Sequence, residues 1–252
     1  MQIKTEAIVL QKQRWSDTSL IVQLLSREHG LIKLIAKGAL RPKSQFHGNF
    51  EILNHLEVIY IHKNTRSLQP VSQSTILHTF LGIHEDLELT AIAMAILESL
   101  KRLIHPNEDT RLLFDMIKEL LLDMDAYQGK SSQLFLIWFL FYLSHHLGFG
   151  WTVDRCAQCG NPPDKGNIYL DSARGAAFCE KCKPAHRLFT ISHPEWSVLN
   201  WLQSNPSSRI AELQFLPQDK VRLNFLIDIF LSHINLHTEQ QLQLKSLKMY
   251  LS

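Results

Sequence analysis

Four cysteines stand in one unit: Cys156-Ala157-Gln158-Cys159, nineteen intervening residues, then Cys179-Glu180-Lys181-Cys182. A soft divalent cation binds four thiolates at tetrahedral corners, and a Cys-x-x-Cys turn presents two sulfurs from one side with backbone amides behind them. The spacing therefore predicts one Zn2+ held by Cys156, Cys159, Cys179 and Cys182. Four sulfur ligands leave no open coordination position, so the metal is expected to be structural rather than catalytic. Two disulfides of a secreted protein are the competing arrangement. The sequence opens Met1-Gln2-Ile3-Lys4-Thr5-Glu6 without a signal-peptide pattern, which favours a reducing cytoplasm and hence the metal.

No set of residues for bond chemistry stands out. His193-Pro194-Glu195 matches the first triplet of a zinc deaminase, but it follows both cysteine pairs instead of preceding them, and Pro194 suits the first turn of a helix. His84-Glu85-Asp86-Leu87 is followed by Glu88 and not by the second histidine of a metalloprotease helix. The ten glycines form neither a GxGxxG nor a Walker pattern. His145 and His146 precede the cysteine unit, yet four sulfurs already complete a metal shell. The chain is expected to be a non-enzyme whose work is binding.

Charge says where that binding falls. Residues 1–79 carry ten Lys and Arg against five Asp and Glu, although the whole chain nets only +2. Such a split points to a polyanion facing the amino-terminal part. Candidate DNA contacts are Lys12 and Arg14 in the first loop beside Trp15, Lys33 and Lys37 on the third strand, and Arg41 and Lys43 in the loop after it. Trp15, Phe46, Phe50 and Tyr60 are the few aromatics nearby, so contact is expected to be mainly electrostatic, weakly sequence-specific and salt-sensitive.

Short β-rich segments must position these residues. Residues 3–13, 18–26, 31–38, 50–63 and 68–77 are rich in Ile, Val and Leu and are separated by turn-forming breaks, which predicts a five-stranded barrel. In the third segment Ile32, Leu34 and Ala36 face one side, leaving Lys33 and Lys37 on the other. From residue 80 the apolar spacing becomes helical: 86–104, 110–124 and 133–147 predict an antiparallel bundle. The run Leu134 to Leu143 is shorter than the roughly 18 residues that a membrane span needs. Beyond the cysteine unit, where Ile168-Tyr169-Leu170 reads as a short strand, helices resume after a Ser192 cap and over 218–236. The expected class is α+β multidomain: residues 1–79 a five-stranded nucleic-acid-binding barrel, 80–150 a helical bundle, 151–187 the four-cysteine zinc module, and 188–252 helices completing an all-α carboxy-terminal domain.

Several stretches in order resemble one family. Thr5-Glu6-Ala7-Ile8-Val9-Leu10, Asp17 with Leu20, Arg27-Glu28-His29-Gly30, Lys37-Gly38-Ala39 with Pro42-Lys43-Ser44, the Cys156 to Gly160 half-site and the terminal Leu244-Lys245-Ser246 together are similar to RecO, a bacterial DNA repair and recombination mediator. The likeness runs nearly the whole length. Members often carry Gly-Glu where Ser16-Asp17 stand, and more glycine than Gly175 before the second cysteine pair. The resemblance implies an amino-terminal OB-fold, a helical carboxy-terminal domain containing a zinc module, and cytoplasmic, nucleoid-associated work on DNA damage. It further implies binding to single- and double-stranded DNA, strand annealing, contact with RecR and with the tail of single-strand-binding protein, and indirect help to RecA, with no membrane partner. An RNA-binding OB and zinc-ribbon protein, or a helical interaction scaffold, are the alternatives.

Overall fold

The computed structural model describes residues 1–163, 165–213 and 219–250. Two compact units divide the chain, Met1–Asp125 and Ala126–Ser252. In the first, β1 (Gln2–Arg14), β2 (Leu20–Ser26), β3 (Gly30–Ala36), β4 (His55–Ile61) and β5 (Gln69–His78) close into a barrel of order β1-β2-β3-β5-β4. This is the OB-like barrel expected. β1 is long enough to pair with β4 through residues 2–8 and with β2 through residues 7–14, and a bulge between Val9 and Gln11 bends it from one neighbour to the other. The parallel β3–β5 seam is only two residue pairs, Leu34↔Gln69 and Ile35↔Pro70.

The alternation legible in β3 is the reason the barrel fills. Leu34 and Ala36 point inward with Val9, Val22, Leu24, Leu56 and Val58, while Lys33 and Lys37 are exposed. Several edges differ from the sequence expectations, three of them for reasons visible in the loops. β3 stops at Ala36, so Lys37 opens the next turn. β2 begins at Leu20, because Ser19 O accepts the backbone N–H of Trp15 (2.9 Å) and closes the first loop before the strand starts. β4 begins at His55 rather than Phe50: Phe50 is 1% exposed inside the barrel end, and Leu53 takes a left-handed φ of 78°. Asn54 Nδ2 then donates to the carbonyls of Gly48 (3.1 Å) and Asn49 (3.0 Å), holding the turn that precedes the strand.

Three helices complete the first unit: α1 (Leu81–Glu85), α2 (Leu87–Leu103) and α3 (Arg111–Asp125). Asp86 caps α2 by accepting from the backbone N–H groups of Glu88 (2.8 Å) and Leu89 (3.0 Å). α3 turns Leu113, Phe114, Ile117, Leu120, Leu121 and Met124 to the core. Barrel and helices are tied at the β2–β3 turn. Arg27 forks onto Asp115 through two bonds of 2.9 and 2.8 Å, Thr110 Oγ1 donates to Ser26 O (2.7 Å), and Gly30 bridges Pro106. Gly30 sits at φ +62°, and a Cβ there would lie 2.3 Å from His105 O, so only glycine fits.

The second unit contains α4 (Gln133–His146), a four-stranded sheet, α5 (His193–Ser204), a 3-10 turn (Ser207–Glu212), α6 (Lys220–His237) and α7 (Lys245–Tyr250). Among the described residues no helix is long and apolar enough to cross a membrane. α4 is instead buried nearly all round, from Leu134 to Phe141, against α6, α5 and the 3-10 turn. Ser192 caps α5 in a reciprocal capping box with Glu195, whose carboxylate also takes a two-pronged bond from Arg222 (2.7 and 2.8 Å). The His193-Pro194-Glu195 triplet is therefore a helix start. Of the amphipathic stretch expected over 218–236, Gln218 lies outside the described residues and the helix runs from Lys220.

Candidate nucleic-acid interface and metal centre

The sheet that carries the cysteines has the order β6-β8-β7-β9, with β6 at Thr152–Cys156, β7 at Ile168–Asp171, β8 at Ala176–Phe178 and β9 at Phe189–Ile191. Sequence pattern reveals only β7, from the β-prone run Ile168-Tyr169-Leu170 after a turn-rich stretch; strands of three to five residues are too short to show a period. Cys156 ends β6 and Cys179 follows β8 directly, so the parallel β6–β8 pairing places the two Cys-x-x-Cys turns side by side. Gly160, at φ +74°, closes the first turn by donating its N–H to Cys156 O (2.9 Å), and Cys182 N–H returns to Cys179 O (3.1 Å) in the second. The four Sγ atoms all lie within 4.8 Å of one another. A tetrahedral shell with ~2.3 Å metal–sulfur bonds places its sulfurs ~3.8 Å apart, so the convergence suits one metal ion. No histidine joins the cluster among the described residues.

The electrostatics of the cluster also suit a cation. Burial opposes ionisation of Cys156, but backbone N–H groups of Cys159, Cys179 and Gln158 outweigh it and bring the thiol down to about 6. Cys182 is driven the other way, to about 12, first by its hydrogen bond with Cys179 and then by burial. Four thiols so close resist ionising together, and a divalent cation removes that conflict. The module is fastened within its own unit by Trp196 Nε1, which donates to Val153 O (2.7 Å), and by His233, whose ring nitrogens each lie 2.6 Å from a carbonyl, Ser172 O and Phe149 O. Burial pushes the His233 pKa below the ordinary imidazole value.

On the barrel, pairing sorts the charges. Each of the five acids in residues 1–79 has a basic neighbour: Glu6 with His55 (2.9 Å), Asp17 with Arg14 (3.3 Å), Glu28 with Arg27 (3.6 Å), Glu57 with Lys4 (2.9 Å), and Glu51 with Lys12. Lys33, Lys37, Arg41, Lys43, Lys63 and Arg66 are left with no ion pair among the described residues. Lys33 projects from β3. Lys37, Arg41 and Lys43 are exposed along the turns that follow it, where Arg41 N–H donates to Gly38 O (3.1 Å) and Ser44 N–H to Arg41 O (3.0 Å).

The six residues expected to act together thus separate. Lys12 and Arg14, already paired, line a concavity of about 430 Å³ at the carboxy-terminal end of β1 with Leu20, Leu40 and Phe46. Lys33 lines a different pocket of about 670 Å³ at the opposite end of β1. Of the aromatics named from sequence, only Trp15 offers its ring to solvent, at 62% exposure; Phe46, Phe50 and Tyr60 are core residues. Sequence pattern does not single out Lys63 and Arg66, because their loop follows β4 in the chain and reaches β3 only through the short parallel seam.

Comparison with known proteins agrees with this architecture. The family model for the recombination protein O amino-terminal domain matches residues 1–80, and that for the carboxy-terminal domain matches residues 84–247. The chain belongs to the RecO family. Among its relatives, a protein of Chlorobium phaeobacteroides is 28% identical over 251 residues, covering 96% of each chain, and one of Chlorobium limicola is 26% identical over 248 residues, covering 95% of this chain and 94% of its own. A third, from Rhodopirellula baltica, is 30% identical over 205 residues, covering 79% and 74%. All three carry the name DNA repair protein RecO. The RecO resemblance read from the ordered motifs is thereby established.

Proposed function

We propose that this chain is a non-enzymatic DNA repair and recombination mediator that binds single- and double-stranded DNA through its barrel, anneals complementary strands, and helps load recombinase onto strands covered by single-strand-binding protein. The observation that carries this is the sorting of charge on the barrel: four of its five acids lie beside a Lys or Arg and the fifth, Glu6, beside His55, and among the described residues six cations are left over on β3 and two loops. Annealing requires no bond to be made or broken in the DNA backbone. Two polyanions repel, and cations spread along them lower that barrier while leaving the bases free to pair. Lys33, Lys37, Arg41 and Lys43 supply most of this screening, with Lys12 and Arg14 contributing after exchange of their carboxylate partners.

In this proposal Cys156, Cys159, Cys179 and Cys182 hold one structural Zn2+ that keeps the module folded. RecR and the acidic, apolar tail of single-strand-binding protein are the protein partners, RecA is served indirectly, and the setting is the bacterial cytoplasm at the nucleoid. The test is annealing of two complementary labelled strands, each precoated with single-strand-binding protein, across a salt series. Acceleration that fades with salt is expected. Its absence with intact fold and metal would leave an interaction scaffold, and preference for RNA of equal sequence would leave an RNA-binding protein.

A further inference from the structure

The pocket of about 670 Å³ at the start of β1 lies beside two of the cations without an ion pair, Lys33 and Arg66. Its floor is apolar, built from Ile3, Ile32 and Tyr60, and its rim carries Lys33, His62 and Arg66; no Asp or Glu lines it. The smaller concavity at the other end of β1 includes Glu51, which opposes an anion there. An apolar floor beside the two cations Lys33 and Arg66 fits a ligand with one planar apolar part and one anionic part. Its volume falls within the range of about 300–1,000 Å³ usual for ligand sites.

The rim is built in advance. Gln69, buried at 7% exposure, accepts from the backbone N–H of Lys63 (3.0 Å) and donates to the carbonyls of Lys63 (3.0 Å) and Arg66 (2.6 Å). The same Gln69 pairs with Leu34 in the β3–β5 seam, so one residue sets the loop bearing Arg66 against the strand bearing Lys33. The far wall is held equally: Asn107 N–H donates to His29 O (3.0 Å), and Leu31 N–H to His105 O (3.3 Å).

We propose that this pocket holds one unpaired nucleotide of a bound strand, with the base against the partly exposed Ile3 and Ile32 and its phosphate between Lys33 and Arg66. The inference rests on the DNA-binding reading and adds to it a base-dependent step. A nucleotide seated here is withdrawn from the duplex and marks single-stranded DNA against double-stranded, which cationic screening alone does not do.

The test compares binding of a short thymidine oligonucleotide with that of an abasic oligonucleotide of the same length. The intact protein is expected to prefer the base-carrying strand by about fivefold or more, in the range usual for a seated base. Ser67→Leu, an uncharged substitution without an aromatic face at an exposed loop position, fills part of the pocket and should reduce that preference while leaving abasic binding within about twofold. Arg66→Gln should lower the salt slope by about 0.7, one phosphate contact on a single strand. Equal affinity of the intact protein for both strands, or an unchanged preference in Ser67→Leu alongside an unchanged slope in Arg66→Gln, overturns the pocket and leaves the mediator function standing. Failure to bind either strand overturns both. Saturation by free thymidine monophosphate at lower concentration than by the oligonucleotide assigns the pocket to a free nucleotide and overturns it also.

Discussion

The barrel and the cysteine module are both small β structures, yet they are held by different means. The barrel closes on itself through backbone ladders and fills its interior with its own Val, Leu, Ala and Phe side chains. The module has a minor apolar cluster, Cys156, Ala176 and Phe178 with Tyr169 beside them, and four thiols in place of a core. Their charges contrast less: Lys183 is bound to Glu180 (2.6 Å), Arg155 to Asp154 (2.6 Å) and Arg174 to Asp171 (3.7 Å), but among the described residues Lys165, Lys181 and Arg187 of the module have no ion pair, as six cations of the barrel have none.

The largest effect should come from the metal. Stripping it by chelation, or changing Cys156→Ser, should unfold the module at a cost of at least several kcal/mol, read as a lower melting transition and loss of one zinc per chain by elemental analysis. Barrel binding to a single strand should persist; if affinity fell with the metal, the two regions would not be separable in this way. Next in size is charge reversal at Lys33, Lys37, Arg41 and Lys43 together. Affinity should fall on the order of a hundredfold at low salt, with about three units lost from the salt slope, and zinc content should not change. Unaltered affinity would end the electrostatic account of the barrel.

A smaller loss is expected from Gly30→Ala, which forces a Cβ against His105 O at a left-handed φ. Chemical denaturation should show about 1–3 kcal/mol less stability in the first unit, with metal binding intact. Asp115→Asn gives the smallest change. The hydrogen bond from Arg27 holds the Asp115 carboxyl below its ordinary pKa. A depressed folded-state pKa stabilises above the unfolded value of about 3.9 and ceases to do so as pH falls through the folded value. The variant should therefore be about 0.5–1 kcal/mol less stable near pH 7, an amount discounted for the exposure of the pair, and the difference should close in acid below about pH 4. A gap that persisted at lower pH would mean that shape, not charge, is what Asp115 supplies.

Much of the barrel is legible in sequence because its signals are local. The alternation in β3 puts Lys33 outside and Leu34 inside whatever the neighbours are, and turn residues mark most strand ends. The cysteine quartet is equally local, since a Cys-x-x-Cys turn presents two sulfurs by itself. The β4 boundary is less so: Phe50 and Leu53 look like strand residues until the barrel end takes up the Phe50 ring. β6, β8 and β9 are too short to carry a period, and only pairing with one another makes them strands.

Composition and spacing alone thus point to the barrel strands, the long helices, the clustering of four cysteines and the excess of cations in the first 79 residues, because each depends on residues near in the chain. Which cations are free is a different matter. It depends on Glu51 reaching Lys12, Glu57 reaching Lys4 and Asp115 reaching Arg27, partners 39, 53 and 88 positions apart. The pocket beneath Arg66 depends likewise on Gln69 meeting Leu34 across a two-residue seam. Charge neutralisation and cavity shape act through space, so folding had to bring these residues together before either could exist.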